Sequence, residues 1–400
     1  MSHKNYDGYK SFQYLEPGTD YKAFRLSKDV GRVEPYAVPV TPEQEREVQS
    51  ILDSEVVVSV HDHIKVMPED ARESMEYNHC GRNWTGYEGL STSGLDIIIE
   101  NFMNGSAVIT SASGWKWTDI IHDLGIRFSD FAHQDMLYKA EKYEDLLRAK
   151  PGGRIAVVAC IESAMPIENE VDRVDVLYGF GVRMMGITYS ESNALGSGLK
   201  ESRDGGLTKF GRKVVTRMNK VGMTIDVSHS GDRTSLDAIE FSEKPLLISH
   251  VGARALWNTS RLKPDEVLKA CAQKGGVVGI EAAPHTTLTH KNPLHSIESF
   301  MEHFEYVANL VGMDHVAFGP DTHFGDHVGL HRALKSLMSI DESRQGEEVQ
   351  EVDHVKGLEN PGENFPNIAR WLVKHGYSRE DIAKVLGKNA LRVLRETWAM

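Results

Sequence analysis

The chain has 400 residues, 40% hydrophobic and 26% charged, which excludes a fibrous or intrinsically disordered class and leaves room for one large domain or two. A formal net charge of -13 excludes sequence-independent nucleic-acid binding, which needs a basic surface. The three cysteines, Cys80, Cys160 and Cys271, lie far apart and form no CxxC pair, so neither a disulfide framework nor a cysteine zinc site is expected.

Residues 1–45 are polar with scattered proline and glycine and read as an irregular N-terminal arm. The opening MSHKNYDGYKSFQYLEPGTDYK lacks the apolar core of a secretory signal, and no apolar run approaches the roughly 18 residues of a spanning helix. A cytoplasmic protein without membrane contact is the expectation. At TPEQEREVQSIL (41–52), a threonine cap, a proline at the first helical position and early glutamates predict a helix start.

Short apolar runs then recur between helix-like stretches: VVVSVHDH (56–63), GSAVITSA (105–112), RIAVVACIES (154–163), VRMMGITYS (182–190), GMTIDVSH (222–229), PLLISHV (245–251), GGVVGIEA (275–282) and HVAFGPDTH (315–323). Continuous rather than alternating apolar runs predict strands buried on both faces, as in a parallel sheet. Amphipathic segments such as PDEVLKACAQ and SIESFMEHFEYVANLVG supply the crossovers. Eight such units predict an α/β protein, a (β/α)8 TIM barrel over residues 46–400. A doubly wound sheet is disfavoured because no glycine-rich phosphate loop follows the first run. The acidic stretch beyond the eighth run predicts a long excursion over about 324–365.

The polar residues that close these runs carry the chemistry. His61 and His63 lie one residue apart, so on a strand both project from one face. Glu162, His229, His250 and Asp321 close the third, fifth, sixth and eighth runs. Each alone has an ordinary reading as a loop histidine, a helix cap or, for Asp321 after Pro320, a turn former. In a (β/α)8 barrel, however, the C-terminal strand ends converge on one face. Four imidazoles and two carboxylates exceed the needs of one tetrahedral zinc. Two divalent ions about 3.5–4 Å apart, bridged by one carboxylate and a water or hydroxide, would use them all. Mixed nitrogen and oxygen donors favour zinc, with manganese, iron or cobalt as alternatives, and the expected chemistry is hydrolysis of a small molecule.

The segment GLTKFGRKVVTRMNKVGMTIDVSHSGDRTSLDAIEFSEKPLLISHVGARAL, together with ENFPNIARWLVKHGYSREDIAKVLGKNALRVLRE near the C-terminus, resembles the membrane (renal) dipeptidase family, binuclear-zinc members of the amidohydrolase superfamily on a (β/α)8 barrel. The resemblance runs from about residue 50. It implies that Glu162 is the bridging carboxylate, that His229 and His250 serve one metal, and that His61 is the first ligand of the other. Asp321 then contacts metal and water and moves protons, and Arg261 binds a substrate carboxylate. Homodimers are common in that family.

Three departures fall at the site. The family's His-x-Asp at the first strand is His61-Asp62-His63, which makes His63 the second donor unless Asp62 turns inward. The family's LTH at strand four is ITY, so Tyr189 stands where a histidine polarises the scissile carbonyl; a phenol can also donate to an oxyanion. The family's DFDG is DTHFG, which puts His323 with Arg261 and Tyr189 among the expected substrate contacts. These changes favour a second reading, an amidohydrolase on a non-peptide amide, lactam, imide or amino-substituted ring. A non-catalytic barrel is a third. An aldolase or isomerase would need a strand-end lysine, for which only Lys65 offers itself. The loop 75–91 could line the pocket through Arg82 or Trp84.

Overall fold

The computed structural model describes residues 4–103, 116–284, 286–333 and 349–399. Its strands are β1 (Val58–Val66), β2 (Ile97–Met103), β3 (Leu137–Lys139), β4 (Ile155–Ile161), β5 (Val182–Gly186), β6 (Thr224–Asp226), β7 (Leu247–Val251), β8 (Val277–Ile280), β9 (Val316–Phe318) and β10 (His323–Phe324). All pairings are parallel, in the order β10-β1-β2-β4-β5-β6-β7-β8-β9, with β3 alongside β4. The two ends of this path, β9 and β10, are consecutive in the chain. The segment between them donates from Gly319 N to Ile280 O (3.0 Å) on one side and from Asp321 N to His61 O (3.2 Å) on the other. The result is a curled parallel sheet with helices between its strands.

Seven of the expected runs hold strands; the run GSAVITSA (105–112) lies outside the described residues. Among the described residues a further strand, not expected from the sequence, is Ile97–Met103, IIIENFM, where Glu100 and Asn101 interrupt the apolar signal. The helix predicted at Thr41 spans Pro42–Ser54, and the Thr41 side chain and Gln44 form a reciprocal capping box.

Side-chain alternation sorts the sheet into two cores. Val58, Val60, Ile97, Ile99, Ala156, Val158, Cys160, Met184, Leu247, Val277 and Ala317 form an inner cluster with Ala390, Val393, Leu394 and Trp398 of the helix Asn389–Trp398. That helix covers the N-terminal strand ends, where Trp398 Nε1 donates to Thr224 Oγ1 at 3.1 Å. The intervening Val57, Ile98, Val157, Ile248, Val278 and Val316 pack outward against helical residues such as Val214, Met218, Phe300 and Phe304.

Register breaks decide what replaces the inner apolar residues at the C-terminal strand ends. The β1–β2 register shifts between Ser59 and Asp62, and the β7–β8 register between Ile248 and Val251. Such irregularities re-aim side chains. On β1 the inner series Val58, Val60 gives way to His61 and His63, and on β7 His250 joins Leu247 on the inside. Gly186 at the end of β5 serves the same region, since a Cβ there would lie 2.0 Å from the carbonyl oxygen of Glu162.

The arm from Lys4 onward is pinned by buried polar contacts. Lys4 Nζ lies 2.6 Å from Asp96 Oδ1, with both side chains buried. Asp130, in the helix Trp117–Phe131, accepts from Tyr9 Oη (2.8 Å), Ser11 Oγ (2.6 Å), Phe12 N (2.7 Å) and Tyr87 Oη (2.8 Å). Among the described residues, no helix is long and apolar enough to cross a membrane.

The helix Ile297–Val311 buttresses the loops beyond β7 and β8 through His303. Its Nδ1 accepts from Ala253 N (2.9 Å), and its Nε2 donates to Leu288 O (2.8 Å). That neutral tautomer is buried, and burial lowers its pKa from 6.5 to about 4. A depressed folded pKa means that the unfolded chain takes up the proton first. The stabilisation is therefore complete above pH 6.5 and lost as the pH falls toward 4, a loss of about 3 kcal/mol. Urea titrations of wild type and His303→Gln at pH 7 and pH 4 should show the stability difference between them shrinking by about that amount; a difference independent of pH would contradict it.

Candidate metal centre

His61, Glu162, His250 and Asp321 each offer a donor atom, and these four atoms lie within 4.8 Å of one another. They come from the middle of β1, which runs on to Val66 beyond the expected end at His61 and His63, from the ends of β4 and β7, and from the segment between β9 and β10. Glu162 Oε1 sits at the centre, 3.0 Å from His229 Nε2, 3.4 Å from His250 Nε2 and 3.9 Å from His61 Nε2. Asp321 Oδ1 lies 3.3 Å from His61 Nε2 and 3.1 Å from His63 Nε2. The donors thus fall into two halves, His229 and His250 against Glu162, and His61 and His63 against Asp321.

Supporting contacts present lone pairs to this space. Asn101 Nδ2 donates to Glu162 Oε2 (2.7 Å) and leaves Oε1 facing the imidazoles. The Ser249 hydroxyl gives its one proton to Asp226 Oδ2 (2.6 Å), so its 2.8 Å contact with His250 Nδ1 requires that nitrogen to be the donor. His250 Nε2 is then unprotonated, 2.9 Å from His229 Nε2. A second hydrogen bond that fixes the tautomer in this way is the usual support for a metal-binding imidazole. His61 Nε2, between Glu162 and Asp321, is buried without a hydrogen-bond partner, and orphaned buried polar atoms are costly. A cation there removes that cost, so the donor set fits a metal.

Asp62 does not turn inward. It is fully buried on the opposite side of β1, where it accepts from Thr322 N (2.8 Å), Thr322 Oγ1 (2.9 Å) and Ser59 Oγ (3.2 Å). Burial pushes its carboxyl up to about 7, with the Thr322 contacts opposing. His63 therefore takes the inner position of the pair.

Charge is finely divided in this dry volume. Burial pushes Glu162 above the usual carboxylate range, against the pull of His61. Burial acts the same way on Asp321, but the surrounding imidazoles reverse it and hold Asp321 well below that range. Burial keeps His229 and His250 neutral and lowers His63 to about 3. Asp321 also has a φ of 59°, a left-handed conformation that non-glycine residues hold mainly where the surroundings impose it.

Around the cluster, the Tyr189 ring stacks on His229 (centroids 4.0 Å, 22°), and the His323 ring on His63 (4.0 Å, 3°). Arg261 is buried against His250, whose carbonyl oxygen lies 3.3 Å from Nη1 and 3.4 Å from Nη2. Its Nη2 also forms an ion pair with buried Glu281. Lys65, four residues beyond His61, donates to Asn78 Oδ1 (2.9 Å) beside the Glu100–Arg127 pair. Arg82 lies away from the cluster, over the Phe12 and Tyr21 rings.

Sequence reasoning passed over Asn101, Asp226, Ser249 and Glu281. Asp226 stood out as a charge inside the run TIDVSH, and Asn101 shares the alternation of Ile97 and Ile99. Their partners, distant in sequence, gave no signal.

A family model described as membrane dipeptidase (peptidase family M19) matches residues 126–337 and 350–400. A dipeptidase of Claviceps purpurea is 29% identical over 267 residues, covering 66% of this chain and 56% of that protein. A dipeptidase of Aspergillus oryzae is 29% identical over 280 residues, covering 69% and 59%. The chain thus spans less than two thirds of the length of these curated relatives. The crystal structure of an amidohydrolase from Pseudomonas aeruginosa superposes with a TM-score of 0.71 at 26% identity, covering 88% of this chain and 99% of that one.

Proposed function

The chain belongs to the membrane dipeptidase family, and from that premise we propose that it is a metal-dependent hydrolase cleaving the amide bond of a small substrate such as a dipeptide. The observation that carries this reading is the position of Glu162 Oε1 within 4 Å of three imidazole Nε2 atoms, from β1, β7 and the turn after β6. We read the curled sheet as a (β/α)8 barrel over residues 46–400, with the arm 1–45 and the excursion after the eighth strand as additions. The eighth strand is interrupted between β9 and β10.

His229 and His250 would hold one divalent ion, His61 and His63 the other, with Glu162 shared and Asp321 beside the second. The mixed donors suit zinc, with manganese, iron or cobalt as alternatives. When bound, the ions polarise the scissile carbonyl and lower the pKa of water to near neutrality. Asn101 and Ser249 hold Glu162 and His250 in place. Asp321, at 13% side-chain exposure the most accessible of the six donors, takes a proton from the attacking water and passes it to the leaving nitrogen. The Tyr189 hydroxyl donates to the developing oxyanion, His323 borders the substrate, and Arg261 marks the substrate's far end. Three cysteines outside any disulfide suit a reducing, cytoplasmic placement.

Tyr189, and His63 in an inner position while Asp62 faces away, favour the second reading, a non-peptide amide, lactam or imide. Elemental analysis with a panel of dipeptides, N-acyl amino acids and cyclic amides, assayed before and after chelation, separates the two. About two divalent ions per chain are expected, with cleavage lost on chelation and restored by metal. Absence of metal from protein refolded or expressed with zinc would sink both readings.

A further inference from the structure

The proposed binding end of this site holds a buried ion pair. Arg261 is the cation nearest the donor cluster on the His250 side, and Glu281 is buried with it: the guanidinium is 4% exposed and the carboxylate 0%. The other Glu281 oxygen accepts from Thr286 Oγ1 (2.8 Å), so the carboxylate is fixed from both sides and has no route to solvent. A guanidinium presents two forks to a carboxylate, the end-on pair Nη1/Nη2 and the side-on pair Nε/Nη2. Both forks use Nη2. The end-on fork faces the His250 carbonyl oxygen at 3.3 and 3.4 Å, and Nη2 also lies in an ion pair with Glu281 Oε2. A second carboxylate arriving at this guanidinium would face the anion of Glu281 in a dry volume, where like charges repel strongly.

We propose that Arg261 and Glu281 together form a neutral subsite, and that the preferred substrates carry no free carboxylate at that end: their acyl terminus is an amide, an ester or part of a ring. This rests on the reading of the site as an amide hydrolase with Arg261 at the substrate's far end. Glu281 is thereby a specificity-determining residue, because its charge opposes that of Arg261 where the substrate would end.

The test uses the zinc-loaded protein and matched pairs, each a dipeptide and its C-terminal amide. Hydrolysis is read as kcat/KM, and binding of non-hydrolysable phosphinate analogues of each pair by calorimetry. Wild type should favour the amide by about 10-fold or more in both. Glu281→Gln frees the positive charge and should move the acid-to-amide ratio toward the acid by about 10-fold. The wild-type ratio stands even if the variant folds poorly. Preference of wild type for the free acid, with the variant losing activity on both members equally, would show that Glu281 merely positions Arg261 for a carboxylate, and overturns the proposal. Binding of neither analogue overturns it as well. Binding of the amide analogue without cleavage of any pair upholds the neutral subsite and instead removes the hydrolase reading.

Discussion

Glu162→Gln is expected to abolish activity and strip the protein of metal while leaving it folded. Glu162 Oε1 faces three imidazoles, and its charge is the anion shared by the two donor halves. A glutamine keeps the shape and the contact with Asn101 but brings no charge to hold a cation. Lewis-acid stabilisation of several kcal/mol, about 4, corresponds to about 10³-fold in rate, so kcat/KM should fall by at least that factor. Metal content and circular dichroism separate loss of the site from loss of the fold. Asn101→Ala provides a graded comparison: it removes only the 2.7 Å bond that orients Glu162 and should cost about 10–100-fold. Full activity in Glu162→Gln with metal retained would exclude Glu162 from the centre.

Asp130→Ala should destabilise the protein by about 3–5 kcal/mol, since it leaves buried donors unpaired and each costs about 1–3 kcal/mol. Four donors converge on this carboxylate, from Tyr9, Ser11, Phe12 and Tyr87. Three belong to the N-terminal arm and the fourth to the chain beyond β1, so the substitution should loosen the arm first. Urea unfolding gives the magnitude. Protease digestion should show early cleavage within residues 1–40 in the variant and not in wild type. A loss below about 1 kcal/mol would mean that water satisfies these donors as well as Asp130 does.

The sequence carried a large share of both fold and site because parallel sheets write themselves plainly. A strand buried on both faces must be apolar at consecutive positions, and VVVSV, RIAVVACI and PLLISH satisfy this within a few residues. The polar residues that end such runs stand out for the same reason. His61, Glu162, His250 and Asp321, marked as candidate ligands from their places at strand ends, are the four that the fold gathers within 4.8 Å. The helix start at Thr41 was legible because capping is local, set within four residues. The second strand was not legible, since Glu100 and Asn101 break its run. Glu100 is polar because it meets Arg127 twenty-seven residues on, and Asn101 because it meets Glu162 sixty-one residues on.

What the sequence determined by itself, then, is what depends on neighbours along the chain: the periodicity of the strands, the helix caps and the supply of donors at the strand ends. Which way those donors point was decided by the tertiary structure. Register breaks in β1 and β7 turn His61, His63 and His250 inward and leave Asp62 facing Thr322. The Ser249–Asp226 contact sets the His250 tautomer, and buried Glu281 forms an ion pair with Arg261. Each of these follows from strand pairing or from burial beside a residue far away in sequence. A side chain's direction and the state of its charge depend on such contacts, and the chain makes them only once the strands have paired.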